Sequence, residues 1–352
     1  MTAAKLEGRH MADKPALDDF PQLADPYRRE LLAHCYRMLG SVHDAEDLVQ
    51  ETYLRAWRAY DNFEGRSSLR TWLHTIATRA CLTALEGRSR RPLPTGLGAP
   101  SSSPADELVT QEEVPWLEPI PDTMIDGGTT ADPAAVVGSR ESVRLAFIAA
   151  LQHLPPKQRA VLILRDVLRW KAAEVAEQLE LSTAAVNSAL QRAHAAMGKA
   201  ALSEDSVREP QDAEQQRLLD RWMAAFEAKD VPGIVRLFTE DAVWEMPPFT
   251  GWYQGAEVIG QLIDTSCPAE GPGDQRMVAT TANGQPAFGL YMLDRESGEH
   301  RAFQIQVLDI EGGRVRHCVA FFEQSLFEVF GLPAVLPAVS STAASASAPA
   351  EA

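Results

Sequence analysis

Six polar side chains at helical spacing carry the densest chemistry near the start of the chain. Asp44, Glu46, Asp47, Gln50, Glu51 and Arg55 share residues 44–57 with Ala45, Leu48, Thr52, Leu54 and Trp57. On a 3.6-residue repeat this run folds as one amphipathic helix, with a polar face and an apolar stripe. Mixed charge of this sort is ordinarily a solvated face. Only its surroundings could make it a docking surface.

Those surroundings suit nucleic acid. The loop of residues 61–68 supplies Asn62, Phe63, Arg66 and Ser67, and the helix after it carries Arg70, Trp72, His74, Thr75 and Arg79. Catching bases that have left the stack takes a pocketed loop, aromatic surface and nearby cations. Trp72, Leu73 and Ile76 are expected in the core, while Arg88, Arg90 and Arg91 are placed to meet phosphate. Farther on, residues 170–192 read as two helices across a tight turn. Val175, Ala176 and Leu179 can face Val186 and Leu190, and Ser182 or Thr183 can cap the second helix. This is a helix-turn-helix pattern whose second helix enters a major groove. Its candidate readers are Thr183, Asn187, Ser188, Gln191 and Arg192, with Asn187 and Gln191 able to bond adenine edges.

The order of these segments resembles a known family. Tyr27-Arg28-Arg29-Glu30, Tyr36-Arg37-Met38-Leu39-Gly40, the 44–57 helix and Phe63-Glu64-Gly65-Arg66-Ser67-Ser68 are similar to the promoter-melting domain of bacterial RNA polymerase sigma factors, in particular the extracytoplasmic-function (ECF) group. Leu154-Pro155-Pro156-Lys157-Gln158-Arg159 followed by the helix-turn-helix resembles the sigma domain that binds the −35 element. The resemblance implies that Asp44, Glu46, Asp47, Gln50, Glu51 and Arg55 dock on the polymerase core. It implies that Asn62, Phe63, Arg66, Ser67, Arg70, His74, Thr75 and Arg79 hold the −10 element, and that the five helix-turn-helix readers contact the −35 element. Two positions depart from the family pattern. Glu180 stands where the turn usually has Gly, and a non-Gly residue there is strained by on the order of 1 kcal/mol. Asn187 and Ala189 stand where the family often has Lys or Arg, leaving Arg192 and His194. Fewer cations mean a shallower salt dependence of DNA binding, with the missing affinity supplied by polymerase.

Composition sets limits. The chain has 352 residues, 45% hydrophobic and 23% charged, with a net charge of −16. So acidic a balance disfavours non-specific nucleic-acid binding, so DNA contact must come from local basic patches. Cys35, Cys81, Cys267 and Cys318 form no CxxC pair, which suggests neither a zinc ribbon nor a disulfide framework. No metal site and no cofactor are expected. Scattered cysteines and the lack of a membrane-length apolar run or secretory leader point to a cytoplasmic protein with no membrane partner.

The expected organisation is multidomain: two all-α domains, the second with the helix-turn-helix, then an α+β cone. Residues 1–25 are expected to be disordered and 26–91 to form the first domain. Residues 92–132 form an acidic Pro/Ser/Gly-rich linker with no Lys or Arg. The second domain spans 133–201, the third 214–333, and 338–352 form a disordered tail. The apolar island Val114-Pro115-Trp116-Leu117-Glu118-Pro119-Ile120 is either a docking segment or a chance patch. In sigma factors the corresponding linker threads the RNA exit path, so the resemblance places this acidic segment there.

The third domain resembles the SnoaL-like domains, an α+β cone shared by polyketide cyclases, ketosteroid isomerases and many non-enzymes. The segments similar to it are the 237–248 stretch, Trp252-Tyr253-Gln254-Gly255, Ala320-Phe321-Phe322 and the 326–333 end. Trp244, Met246, Trp252, Tyr253, Phe303 and Phe321 are candidates to line a pocket for a small molecule. Asp241, Asp294, Asp309, His317 and Tyr253 are the ionisable groups an isomerase would need. Asp241 and Asp309 sit at turns, where a structural role is expected, so no catalytic residue is assigned. Residues 214–333 hold eighteen Asp and Glu against nine Lys and Arg, and such an acidic module can contact basic faces of DNA-binding blocks or of polymerase. The resulting expectation is an ECF-type sigma factor regulated by its own third domain. Two alternatives stand beside it: a helix-turn-helix regulator that works without polymerase, and a bifunctional protein with a cyclase- or isomerase-type third domain.

Overall fold

The structure is a computed structural model and describes residues 20–101, 103–125, 141–198 and 212–338. It divides into two compact units, one of Met1–Arg91 with Leu117–Ser206, the other of Pro92–Trp116 with Val207–Ala352. The first unit is helical, with helices α1 (Phe20–Ala24), α2 (Arg28–Leu39), α3 (Val42–Ala59), α4 (Leu69–Ala84), α5 (Asp122–Ile125), α6 (Leu145–Gln152), α7 (Pro156–Leu162), α8 (Ala172–Leu179) and α9 (Thr183–Met197). The second has helices α10 (Asp212–Glu227), α11 (Val231–Leu237), α12 (Ala256–Ser266) and α13 (Ser325–Val329) around one sheet.

Helices α2, α3 and α4 form the first core. Gly40 ends α2 in the left-handed region (φ 71) and bonds back to Tyr36 O, a turn that favours Gly. Ser41 caps α3 by accepting from the Asp44 N–H. Val42, Ala45, Val49, Thr52 and Ala56 are the buried positions of α3, and their 3,4,3,4 spacing is one inward stripe. That corrects the expected stripe: Leu48 is only half-buried, and Leu54 and Trp57 face outward at 49% and 45% exposure. The expected disorder of residues 1–25 also stops short. Residues 1–19 lie outside the described residues, but Phe20–Ala24 is helical, and the buried Phe20 ring packs 5.0 Å from Tyr60. Burying such a ring contributes roughly 1.5–3 kcal/mol, enough to hold a short helix in place.

The linker is not a bare spacer. In the first unit, Leu117 and Ile120 are fully buried. The Glu118 N–H donates to Gly40 O at 3.0 Å, and the Tyr36 hydroxyl donates to Glu118 O at 2.7 Å. The apolar island therefore docks, as one of its two expected readings had it. Residues 126–140 lie outside the described residues.

In the second unit the strands are β1 (Phe238–Glu245), β2 (Trp252–Gln254), β3 (Gln275–Ala282), β4 (Gln285–Leu293), β5 (His300–Glu311), β6 (Arg314–Phe321) and β7 (Val335–Leu336). The order is β2-β1-β6-β5-β4-β3, with β7 on β5. Pairing is antiparallel except for β1 with β6, which run parallel. One face of the sheet buries Trp222 and Phe226 of α10 against Trp244, Phe288 and Leu308. The Trp222 indole N–H donates to Gln306 Oε1 at 2.9 Å, which satisfies an otherwise costly buried donor. Residues 92–116 pack on this unit: the Ser101 N–H donates to Trp252 O, the Trp252 indole N–H to Gly98 O, and Thr110 bridges Phe249. This tethering explains order in a segment whose composition could not fold alone.

Candidate nucleic-acid interface

The polar face of α3 is only partly free. Asp47, Gln50 and Arg55 are exposed. Asp44 is turned inward to the protein's own cations, accepting from Arg88 at 2.9 Å and Arg91 at 2.7 Å. It is therefore unsuited to the docking role expected of it. The same pairs draw Arg88 and Arg91 away from the expected phosphate contacts, and Arg90 bonds His153 Nδ1 at 2.8 Å. Glu46 is half-buried, and Glu51 is paired with Arg55 at 2.7 Å. The outward face instead presents Leu54 and Trp57 beside Asp47 and Gln50, a mixed apolar and acidic surface.

The loop after α3 is open. Asn62, Arg66 and Ser67 are exposed, and Arg66 pairs with Glu64. Phe63 packs at a tilt 4.7 Å from Trp72, which lies 6.4 Å from Tyr60; these aromatics brace the loop root. Ser68 caps α4 by accepting from the Thr71 N–H. Along α4, Arg70 and Arg79 are exposed and Thr75 is half-buried. Leu73 is core as expected, while Trp72 and Ile76 are half-buried. His74 is a correction: it is fully buried, with Nε2 3.1 Å from Glu30 Oε1 and its ring edge-on to His34 at 5.1 Å. Leucine-like spacing on α4 carries it inward, so it cannot touch DNA. Glu30 also pairs with Arg70. Burial pushes the Glu30 carboxyl up, but His74 and Arg70 outweigh it and bring the pKa down to about 2.

In the helix-turn-helix, Val175, Ala176 and Leu179 of α8 are buried as expected. On α9 the inward residues are Val186, Ala189, Ala193 and Met197, not Val186 with Leu190. Ala189 is therefore a packing residue and not a vacant cation slot. Ser182 is the cap, accepting from the Ala185 N–H at 3.1 Å. Thr183, Asn187, Gln191 and Arg192 share the exposed side, and Arg192 donates to Ser188 Oγ at 2.6 Å. His194 is drawn to Asp166 at 2.5 Å. Glu180 takes the left-handed turn at φ 57. Glu180→Gly is therefore expected to stabilise the first unit by about 0.5–1 kcal/mol, raising its midpoint by a few degrees in a thermal melt. An unchanged or lower midpoint would show that the Glu side chain outweighs the strain.

The cone divides the pocket candidates. Trp244, Met246 and Tyr253 belong to its buried apolar cluster, with Phe303 packed against it. Trp252 and Phe321 do not: Trp252 pairs across from Glu245, and the register sets both on the opposite face of the sheet from Trp244. Strand alternation, which reverses facing at each residue, is the reason. The isomerase-type carboxylates are also spoken for. Asp294 and Asp309 bond Arg301 and Arg316, each at 2.8 Å, and Asp241 is exposed. Burial pushes the Tyr253 hydroxyl up while a hydrogen bond from Ser101 pulls it back.

With this geometry in place, comparison with known proteins is decisive. The sequence matches three families: Sigma-70 region 2 over residues 23–91, Sigma-70 region 4 over 144–197, and the SnoaL-like domain over 219–318. It is 60% identical over 331 residues to the ECF RNA polymerase sigma factor SigG of Mycobacterium tuberculosis (strain H37Rv), covering 94% of this chain and 88% of that one. The chain belongs to the ECF sigma factors. A second sigma factor of that strain, SigJ, is 29% identical over 296 residues, 82% of this chain and 81% of that one. The crystal structure of M. tuberculosis SigJ superposes with a TM-score of 0.57 over 90% of this chain and 100% of that chain; at 24% identity, this speaks to the fold alone.

As an ECF sigma factor, the protein binds RNA polymerase core and promoter DNA through regions 2 and 4. Among the described residues no helix is long and apolar enough to cross a membrane, and no group of three or more His, Cys, Asp or Glu is placed to hold a metal. Sequence reasoning missed two features of this sigma factor. One is the fully buried Glu245, which accepts from the Thr95 N–H and bonds His317 Nε2, both at 2.7 Å. Its place between Trp244 and Met246 reads as an outward strand position, and nothing in the sequence shows that residues 94–95 cover it. The other is a pair of buried arginines, Arg37 and Arg159, which no spacing rule marks as inward.

Proposed function

We propose that this sigma factor docks on core polymerase through the outward face of α3, above all Leu54 and Trp57 with Asp47 and Gln50. Asn62, Arg66 and Ser67 of the open loop, with Arg70, Thr75 and Arg79, take the melted −10 bases. Thr183, Asn187, Ser188, Gln191 and Arg192 read the −35 element. The observation that carries the reading is that both sigma regions are present, in order, with these side chains largely on exposed faces. The protein works in the cytoplasm, where the polymerase is.

The SnoaL-like domain acts as a built-in regulator and not as an enzyme. In support, Asp294 and Asp309 are tied to surface arginines, Asp241 is exposed, and the buried Glu245 is held by His317 and the Thr95 N–H on the face of the sheet away from Trp244. If a small apolar ligand regulates it, Trp244, Met246, Tyr253 and the half-buried Phe303 mark where it binds. Placing residues 92–116 in the polymerase channel would require their release from the SnoaL-like unit.

The test is in vitro transcription with bacterial core polymerase on a library that includes the protein's own upstream region. Full-length protein should yield promoter-specific transcripts. A chain ending at residue 201 should yield them at a different level, and the sign of the change gives the direction of regulation. Equal output from both would remove the regulatory role, and no transcript from either would remove the promoter assignment.

A further inference from the structure

The SnoaL-like unit buries polar atoms that bond nothing within it. Gln304 and Gln306 of β5 pair with Leu290 and Phe288 of β4, and both partners belong to the apolar cluster of the cone. Residues directly opposite each other share a face, so both amides point into the cone. Trp244 of β1 faces the same interior beside Cys318 of β6. Exposure is 3% for Trp244, 5% for Gln304 and 0% for Gln306. Yet Trp244 Nε1, Gln304 Oε1 and Gln306 Nε2 have no hydrogen-bond partner. An indole nitrogen only donates, so Gln306 turns its oxygen to Trp222 and keeps its NH₂ group for another acceptor. A buried polar atom left in this way loses its water with nothing in exchange. Three of them facing one interior mark a place for a ligand with matching groups.

Part of the linker covers the way in. Thr110 bridges Phe249, the Thr250 N–H donates to Val109 O at 3.0 Å, and the Gln111 N–H donates to Pro248 O at 3.1 Å. Leu108 and Phe249 both pack on the apolar cluster of the cone. Phe249 lies 5.2 Å from Phe322, and Phe322 lies 5.2 Å from Phe303. Phe303 sits at a bulge next to Gln304, so an aromatic row runs from the linker to the two amides. The buried acids and imidazole of this unit are engaged elsewhere. Glu245 bonds His317 on the other face of the sheet, Asp274 bonds Arg295, and His300 bonds Gly273 O. A charged guest would lose its water without gaining a countercharge, so the guest is neutral. Gln304 and Gln306 stand roughly 7 Å apart along β5, and Trp244 lies two strands, or roughly 10 Å, away.

We propose that the cone binds a neutral, flat aromatic molecule carrying a carbonyl and a hydroxyl group. Trp244 Nε1 and Gln306 Nε2 donate to its oxygens, and Gln304 Oε1 accepts from its hydroxyl. The guest takes the place of Leu108, so its binding frees residues 103–111 from the cone. The freed segment is then available to the polymerase channel, a consequence that rests on the regulatory role proposed above for this unit.

The test uses the full-length protein and 6-hydroxyflavone, a flat neutral molecule with one carbonyl and one hydroxyl group. Calorimetry should show saturable binding at one site per chain. Gln304→Met and Trp244→Phe should each weaken it about tenfold, since each removes one hydrogen-bonding atom and keeps an apolar side chain. Flavone-6-carboxylate should bind at least about tenfold more weakly than 6-hydroxyflavone. No saturable binding of 6-hydroxyflavone would overturn the site. Equal binding by wild type and both variants would overturn its polar contacts, and equal binding of the carboxylate would overturn the neutral class. Hydrogen exchange of the wild-type protein needs no variant. Residues 108–111 should lose protection when 6-hydroxyflavone is added, while β5 keeps its protection. Retained protection of 108–111 in the bound protein would overturn displacement of the linker. Transcription with core polymerase should rise about fivefold on adding 6-hydroxyflavone, the scale of a modest coupling. Linker release with unchanged transcription would overturn the regulatory role of the unit and leave its ligand site standing.

Discussion

Replacing Leu54 with Asp and Trp57 with Ala together is expected to weaken binding to core polymerase by about a hundredfold or more while leaving the fold intact. Both side chains sit on the face of α3 opposite its buried stripe, at 49% and 45% exposure. Neither substitution opens a cavity in the core, so the helix signal and the thermal midpoint should change little. Large exposed apolar residues on an otherwise polar helix mark interaction surfaces, and Trp anchors at interfaces commonly cost 2 kcal/mol or more on truncation. Asp at position 54 adds a charge that a desolvated interface must strip of water. Fluorescence anisotropy against core polymerase measures the effect. Wild-type affinity in the folded double variant would move the docking surface off this face. Asp44→Ala is the contrasting case: Asp44 holds Arg88 and Arg91 within the protein, so its loss should affect stability more than docking.

The second large effect is acid lability centred on His34. The Thr78 hydroxyl donates to His74 O at 2.7 Å, so its single proton is used. The His34 Nε2–H must then be the donor in the 2.9 Å bond to Thr78 Oγ1. His34 Nδ1 is left without a partner in the core. Burial holds the imidazole well below its ordinary pKa of 6.5, helped by the positive fields of His74 and Arg37 and opposed by Glu30. The folded state thus keeps His34 neutral where the unfolded chain takes up a proton. As pH falls below about 6.5, stability drops by about 1.4 kcal/mol per unit from this one site. Glu30 adds a second loss. Its folded pKa of about 2 lies below the ordinary 4.5, so its stabilisation is complete above pH 4.5 and fades as pH falls toward 2. At 31% side-chain exposure, that contribution is about 1–2 kcal/mol after allowance for solvent screening. Urea unfolding between pH 7.5 and 5 should show the first slope, and His34→Gln should flatten it. A wild-type stability that does not change over that range would exclude a neutral buried His34.

Much of this protein was legible in its sequence because local chemistry specified it. The single helix over residues 44–57, the Ser182 cap of α9 and the tight turn before it depend on residues within a few positions of one another, and each falls where local rules place it. The order of sigma regions and the cone were read instead from the resemblance of their segments to known families. The sequence could not say which of several permitted faces meets the core. Leu54 and Trp57 look like core residues until α2 and α4 take the other side of α3. His74 looks like a base reader until Glu30 and His34 close over it, and Trp252 and Phe321 join a pocket only if strand register is ignored. Asp44, Arg88 and Arg91, read as surfaces for partners, turn out to satisfy one another across more than forty residues of chain. Arg37 and Arg159 are the extreme case: Arg37 donates to Ser142, 105 residues away, and Arg159 reaches Met38 O, 121 residues away, besides Gln152 and Leu154 close by in the chain. Pairings of that kind carry no sequence period. They exist only because packing brings distant segments together and leaves buried charge no other partner, so the tertiary structure alone decided them.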